Sequence, residues 1–334
     1  MSTTAEGTSV RTLTYAEAAA LALTEAMARD ERIVALGEDL GRGGVFGQYR
    51  GLQQRFGAAR VIDTPISEAN IMGAAVGMAL AGLVPVVEMR VVDFPLCATD
   101  EIVNQAAKNR FMFGGQGRVP LVARLPIGIW SASAAQHSQS LEAWFAHMPG
   151  LVVVTPGTPQ DNYSLLTSAL ASGDPVVYLE HKELWAESAT VDPALDVPLG
   201  RAQVLRSGTD LTIATWSRGI APVLAALALP ELAGVGVDVI DLRTLWPWDQ
   251  SCVFESAARS GRLLVVHEAV QVAGFGAEVA AAAAEATGCR VARLGAPRIP
   301  VGYAAVLENE SRLSASKVAQ AAQRLLRAGA GARS

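Results

Sequence analysis

Cysteine is scarce in this chain. Cys97, Cys252 and Cys289 are the only three among 334 residues, and they stand far apart. An odd, scattered set fits neither a disulfide framework nor a Cys-x-x-Cys metal site, so reduced core thiols of a cytosolic (cytoplasmic) protein are expected. Histidine is also sparse. His137, His147, His181 and His267 show no His-Glu-x-x-His spacing, which argues against a zinc enzyme. No basic stripe with interleaved aromatics occurs and the net charge is −5, so nucleic acid is not an expected partner. Arg324, Arg327 and Arg333 read as a frayed terminal helix and tail. Met1–Gly7 lacks a basic region leading into an apolar run, so no secretory signal is read there. The most apolar stretch, Ala74–Met89, is broken by Pro85 and falls short of the ~20 residues that span a bilayer. It reads as a buried helix passing into a buried strand, with no membrane partner.

Charge is limited too. Charged residues make up 18% and apolar ones 51%, enough to bury a large core, and the length suggests two domains. Short β-branched runs alternate with Ala/Leu-rich stretches. Strands are expected at Arg32–Leu36, Arg60–Asp63, Val84–Met89, Pro120–Arg124, Leu151–Thr155 and Pro175–Glu180. A second series is expected at Leu211–Thr215, Val237–Asp241, Arg262–His267 and Arg290–Leu294. These runs are nearly continuous in apolar character, the pattern of parallel strands covered on both faces. Helices are expected at Tyr15–Asp30, with Thr14 as N-cap, and at Ser67–Gly82, Cys97–Arg110, Gln160–Ser172, Ile220–Leu229 and Gly276–Thr287. The fold class is therefore α/β, with two doubly wound, mostly parallel sheets. Residues 1–187 form the expected first domain, the proline-bearing 188–207 a linker and 208–334 the second domain.

Three longer phrases carry more. They are Arg60-Val-Ile-Asp-Thr-Pro-Ile-Ser-Glu68, Asp100-Glu-Ile-Val-Asn-Gln-Ala-Ala-Lys108 with Phe111-Met-Phe-Gly-Gly115, and Ala134-Ala-Gln-His-Ser-Gln-Ser-Leu-Glu-Ala-Trp-Phe-Ala-His-Met-Pro-Gly150. With their order and spacing, the chain from Leu13 to about Leu326 resembles the β subunits of the pyruvate, branched-chain 2-oxo acid and acetoin dehydrogenases. The resemblance implies a pyrimidine-binding domain followed by a transketolase-type C-terminal domain. It implies thiamine diphosphate shared with an α subunit, which would hold the diphosphate and Mg2+ through a Gly-Asp-Gly…Asn motif. That motif is not found in this chain, whose nearest phrase is Gly37-Glu-Asp39. The implied assembly is an α2β2 heterotetramer that decarboxylates a small 2-oxo acid, or cleaves acetoin, and passes the acyl group to a lipoyl acyltransferase core. The subunit would be active only with its α partner.

Glu68 is the first catalytic candidate. Taken alone, a Ser-Glu before an apolar helix is a first-turn carboxylate complementing the helix dipole. Within the resembled family the same glutamate hydrogen-bonds the cofactor's pyrimidine N1′ and lets the aminopyrimidine take the thiazolium C2 proton. Burial against an apolar ring would raise its pKa and the dipole would lower it. By the same resemblance Phe94 stacks on the pyrimidine, Ile66 lies beside it and Glu38 stands near it. His137, in Gln-His-Ser-Gln, would serve proton transfers around the intermediate or the lipoyl sulfur. His147 is read as structural. Carbonyls of Leu121, Ala169, Leu170, Ser172 and Asp174 match a potassium site of some relatives, with Ser172 where an acid is frequent.

Gly73 and Gly77 share a helix face, which suits close packing at a subunit interface or within the domain. Ala273-Gly-Phe-Gly276 is an incomplete dinucleotide fingerprint, and no nicotinamide cofactor is expected. Arg124-Leu-Pro-Ile-Gly128 and Trp130 depart from the family's pattern, so bulk near the acyl pocket is expected from Leu125, Ile127 and Trp130, with Arg90 and Asp93 leading to Phe94. These departures lend some support to an alternative: a non-catalytic scaffold or regulatory paralogue. Gly43-Gly-Val-Phe46 and Val239-Ile-Asp-Leu-Arg-Thr244 resemble the branched-chain and acetoin types more than animal pyruvate dehydrogenase.

Overall fold

Apolar runs of four to six residues can bury both faces only inside a helix-covered sheet, and that is where they lie. A computed structural model describes residues 9–44 and 47–328. Val45, Phe46 and Arg333, which carry part of the readings above, fall outside the described residues. The strands are β1 (Arg11–Thr14), β2 (Ile33–Gly37), β3 (Val61–Asp63), β4 (Val84–Glu88), β5 (Val122–Arg124), β6 (Val152–Val154) and β7 (Val176–Tyr178). They continue as β8 (Ser188–Val191), β9 (Gln203–Arg206), β10 (Leu211–Thr215), β11 (Val237–Asp241), β12 (Thr244–Trp246), β13 (Arg262–Val270) and β14 (Arg290–Ala296). The helices are α1 (Tyr15–Arg29), α2 (Leu52–Phe56), α3 (Glu68–Leu80), α4 (Ala107–Met112), α5 (Glu142–Ala146), α6 (Pro159–Ala171), α7 (Ile220–Ala226), α8 (Gln250–Ser260), α9 (Gly276–Thr287), α10 (Ala305–Ser311) and α11 (Ala315–Arg327).

The first sheet runs β12-β6-β7-β5-β4-β2-β3 and the second β14-β13-β10-β11-β9. Only β12 and β9, each at an edge, pair antiparallel within them. Every residue of β2, β4, β10 and β11 is buried, as their continuous apolar character requires. Helix α1 begins with a capping box: Thr14 Oγ1 accepts from the Glu17 N–H, and Glu17 Oε2 accepts from the Thr14 N–H at 2.8 Å. Such a cap contributes about 1 kcal/mol.

Segment 188–207 is more than a linker. It carries β8, which pairs with β1, and β9, which closes the edge of the second sheet. Both are half-exposed four-residue strands, so no apolar run announces them. The two sheets also share material. One hydrophobic cluster passes from Leu36, Met72 and Val177 to Trp216, Ile240 and Phe275. Strand β12, beyond β11, crosses back to pair with β6, and the Trp216 indole N–H donates to Glu142 Oε1 at 3.1 Å.

Three further expectations change. Cys97–Arg110 is not one helix but a 3₁₀ turn (Phe94–Ala98), a π-helical turn (Glu101–Ala106) and α4. The terminal helix α11 is not frayed, because Val318, Ala319, Ala321, Ala322 and Leu325 bury one face of it. Cys97 is exposed rather than a core thiol. No helix among the described residues is long and apolar enough to cross a membrane.

The parallel register aligns Gly37, Glu88, Arg124 and Tyr178 in one row near the C-terminal ends of β2, β4, β5 and β7. Arg124 is completely buried there. Its Nε and Nη2 donate to both carboxylate oxygens of Glu180, at 2.8 and 2.9 Å. Its Nη1 makes only an ion contact with Glu88 Oε2 at 3.8 Å, too long for a hydrogen bond. Glu88 instead accepts from Gln48 Nε2 and Tyr49 Oη, both at 2.8 Å. Burial outweighs the pull of Arg124 and raises the Glu88 pKa from 4.5 to about 7. A carboxyl that holds its proton more tightly folded than unfolded contributes stability that is fully present below about pH 4.5 and lost as pH rises through about 7. The stability difference between wild type and Glu88→Gln, from urea unfolding, should therefore shift against the wild type across that window. A difference constant from pH 5 to pH 8 would show that Glu88 is ionised throughout.

Candidate active site

In an open parallel sheet, side chains that follow the strands' C-terminal ends converge on one edge. Glu38 follows β2, Arg90 and Phe94 follow β4, and the segment bearing His137 follows β5. Glu68 opens α3, directly after the extended Asp-Thr-Pro phrase leaving β3.

These residues form a linked row. The Arg90 guanidinium lies 4.0 Å from Glu38 Oε2. Glu38 is buried, and its pKa is raised by that burial and then by the charge of Glu68, against the opposing pull of Arg90. The Cys97 thiol lies 3.7 Å from Glu68 Oε2 and 3.2 Å from the Phe94 carbonyl, tying the start of α3 to the turn that begins at Phe94. Burial, followed by the Glu68 charge, pushes the Cys97 thiol up, so it stays protonated and able to donate. Phe94 meets the His137 ring edge-on, with centroids 5.3 Å apart. Ile66 is 73% exposed at the rim, an apolar side chain with nothing of this chain covering it.

Behind Phe94, Asp93 Oδ1 accepts from Gln139 Nε2 at 2.6 Å, and burial raises its pKa. The buried Lys182 ammonium donates to the His137 carbonyl, and its pKa is lowered by burial to about 8. Lys182 and Cys97 carry no motif that sequence reasoning could use. Gln139 stood inside a quoted phrase and Asp93 was named only as leading to Phe94, and their pairing joins segments 46 residues apart.

The structure thus gathers Glu38, Ile66, Glu68, Phe94 and His137 at one sheet edge. His147 lies apart from them, exposed at the C-cap of α5. Leu121, Ala169, Leu170, Ser172 and Asp174 gather elsewhere, at the opposite edge where β5 and β7 begin and α6 ends. There the Leu121 carbonyl accepts from the Val176 N–H at 2.9 Å and the Ala169 carbonyl from the Ser172 N–H at 3.2 Å. Each carbonyl oxygen keeps a second lone pair.

Leu125 and Ile127 do not project from the surface. Both are core residues, and only Trp130 projects, edge-on to Trp185. A side chain at Gly73 would make an ordinary contact with Glu101, and one at Gly77 would meet nothing, so close packing inside the chain does not require either glycine.

The model of the transketolase pyrimidine-binding domain matches residues 11–187, and that of the transketolase C-terminal domain matches residues 200–318. The β subunit of 2-oxoisovalerate dehydrogenase from Bacillus subtilis is 38% identical over 321 residues, covering 94% of this chain and 98% of that protein. The chain belongs to the transketolase-like family of 2-oxo acid dehydrogenase β subunits. The acetoin:2,6-dichlorophenolindophenol oxidoreductase β subunit of Cupriavidus necator is 37% identical, covering 92% of this chain and 96% of that one. The mitochondrial 2-oxoisovalerate dehydrogenase β subunit of Chaetomium thermophilum is 43% identical over 79% of this chain, which spans 57% of that relative's length. Among solved structures, a split-gene transketolase described as an inactive β4 tetramer superposes with a TM-score of 0.80 at 22% identity, covering 94% of this chain and 98% of its own. Transketolase from Campylobacter jejuni superposes with a TM-score of 0.70 at 13% identity, and this chain covers 46% of it. These two show the same fold.

The contact between the two carboxylates can be measured. Glu68→Gln removes a negative charge facing Glu38, so the Glu38 pKa should fall in a carboxyl-carbon NMR titration of the chain. An unchanged Glu38 titration would mean that the two groups do not sense each other.

Proposed function

We propose that this chain is the β half of a thiamine-diphosphate-dependent 2-oxo acid dehydrogenase of the pyruvate, branched-chain or acetoin type, completed by an α subunit in an α2β2 heterotetramer. One observation carries the reading. The Glu68 carboxylate stands at the start of α3 beside the uncovered Ile66 and opposite Phe94, an apolar seat with a carboxylate at its edge. A flat aminopyrimidine fits that donor set, with its ring on apolar atoms and one ring nitrogen toward the carboxyl group.

When bound, thiamine diphosphate would supply the nucleophilic carbon chemistry for decarboxylation. Glu68 would hydrogen-bond the pyrimidine N1′ of the bound cofactor. Phe94 and Ile66 orient the ring and exclude water from it. Burial, and then the charge of Glu68, raises the Glu38 pKa against the pull of Arg90, which eases the presence of two carboxyl groups at one site. His137, exposed at the mouth and braced edge-on by Phe94, exchanges protons with the substrate oxygen or the arriving lipoyl sulfur.

The diphosphate and Mg2+ are assigned to the α subunit, because this chain has no Gly-Asp-Gly…Asn phrase. The lipoyl acyltransferase core then receives the acyl group. A potassium ion is assigned to the gathered carbonyls at the end of α6. Of the departures that supported the scaffold alternative, Leu125 and Ile127 are core residues and Trp130 projects, while the retention of Glu68, Phe94 and His137 weighs against it.

Purified alone, the chain should bind thiamine diphosphate weakly and turn over neither 2-oxo acids nor acetoin. Adding the α subunit should restore both properties, and turnover by the lone chain would refute the division of labour. In the assembled complex, Glu68→Gln should cut kcat by about 100-fold to 10,000-fold, the range of general acid–base assistance, with the sedimentation profile unchanged. An assembled wild-type complex without turnover on any of these substrates would favour the scaffold.

A further inference from the structure

The segment that carries His137 has a backbone it would not adopt unaided. Ser131, Ala132 and Ala134 all take positive φ, at 30°, 58° and 58°, although none is glycine. Non-glycine residues persist in that region when their surroundings over-determine them. The segment's local bonds are few: the Ser133 N–H donates at 3.0 Å to the Trp130 carbonyl, which also accepts from the Ser133 hydroxyl, the His137 N–H donates to the Ala134 carbonyl at 3.5 Å, and the Gly128 N–H to the Gln139 carbonyl at 2.9 Å.

Lys182 of the same domain donates to the His137 carbonyl, and two further holds come from the other sheet's domain. Glu268, on β13, accepts from the Ile129 N–H at 2.8 Å. Glu308, on α10, accepts from the Ala132 N–H at 2.6 Å. The Glu308 carboxylate is buried and the Glu268 side chain is 9% exposed, and each is held in turn. His181 Nδ1 accepts from the Glu183 N–H, so Nε2 is the nitrogen that donates to Glu268, at 2.8 Å. Arg312 binds Glu308 through Nε at 3.0 Å and Glu183 through Nη1 at 2.6 Å. The contacts close a ring through Ile129, Glu268, His181, Glu183, Arg312, Glu308 and Ala132. Gly128 fits inside it only without a side chain, since a Cβ there would lie 1.9 Å from His181 Nε2. Burial works against an ionised Glu268, yet the facing His181 and the Ile129 N–H hold its pKa below the ordinary value, so it remains an acceptor.

We propose that Glu308 and Glu268 are positioning residues for the reaction: two carboxylates of the C-terminal domain clamp the strained 129–134 backbone and thereby set where His137 stands against Phe94. The C-terminal domain then contributes to the geometry of the active site. The inference rests on the reading of His137 as a group that serves the chemistry. It assigns no proton transfer to either glutamate, because both reach main-chain N–H groups.

The test uses the full chain assembled with its α subunit, in wild type, Glu308→Ala, Glu308→Gln and His137→Ala. In Glu308→Ala, amide hydrogen exchange across residues 129–137 should rise about tenfold or more, the scale of a lost hydrogen bond to a charged group. Exchange in β10, β11 and β13 should stay at the wild-type rate. With a 2-oxo acid and a lipoyl acceptor, kcat should fall about tenfold while KM changes less than about threefold. Glu308→Gln keeps a carbonyl oxygen facing the Ala132 N–H and should recover most of both properties. Wild-type exchange in Glu308→Ala would overturn the clamp, and a loosened segment with unchanged kcat would overturn its positioning role. Full activity in His137→Ala would remove that residue from the proposed function, while the exchange result would still decide whether the clamp exists.

Discussion

A fully buried arginine has to be answered by carboxylates, and Arg124 is answered from both neighbouring strands. Glu88 ends β4, Arg124 ends β5 and Glu180 lies just beyond β7. The outgoing segment of the first carries Arg90 and Phe94, that of the second carries His137, and that of the third carries His181 and Lys182. Removing Glu180, which accepts both of the Arg124 hydrogen bonds, leaves an uncompensated buried charge, which costs about 3–5 kcal/mol. The set therefore fixes three strand ends against one another, and every residue at the candidate site hangs from one of those ends or from the neighbouring β2 and β3. Asn162 of α6, donating to Glu180 Oε1 at 3.0 Å and accepting from Tyr178 Oη, extends the hold to the helix layer.

Above that base the site is polar on one side and apolar on the other. Burial and then the charge of Glu68 raise the Glu38 pKa, and Arg90 only partly offsets them. Glu38 is enclosed, while Glu68 sits at the open start of a helix. Ile66 and Leu96 leave apolar surface uncovered beside these charges. A lone chain gains nothing from that arrangement. It becomes favourable when a flat, polar-edged ring and a second protein surface cover it.

The sequence showed the parallel strands because burial on both faces forces unbroken apolar runs, as in Leu211–Thr215 and Val237–Asp241, whose ends were read to the residue. It did not show β1, β8, β9 or β12. These are edge or ribbon strands of three or four residues, and alternation over so short a span is indistinguishable from a loop. Helix α8 was missed as well, although Asp249 caps it through the Cys252 N–H. Glu68, Phe94 and His137 were legible only through the long phrases that contain them. Neither a lone Glu after Ser nor a lone His in a polar loop carries such information. Lys182, Glu268 and Glu308 were not legible, because their partners lie in distant segments and no local pattern records a contact between two sheets.

That last group changes how the second domain is understood. A domain that served only to meet other subunits would need an apolar outer face and little else. Here two of its carboxylates, Glu268 and Glu308, turn inward to main-chain N–H groups of the first domain. An apolar contact could bury the same area, but it could not satisfy those N–H groups or specify φ at Ser131, Ala132 and Ala134. A hydrogen bond to a named amide fixes direction as well as distance. The shared core of Leu36, Val177, Trp216 and Phe275 keeps the two sheets from sliding, so the carboxylates arrive in register. The order of dependence therefore runs from the mixed core, to the inward carboxylates, to the strained segment and finally to His137. A substitution in the interdomain core should be felt at His137 through a loosened segment, even where no side chain of the site has changed.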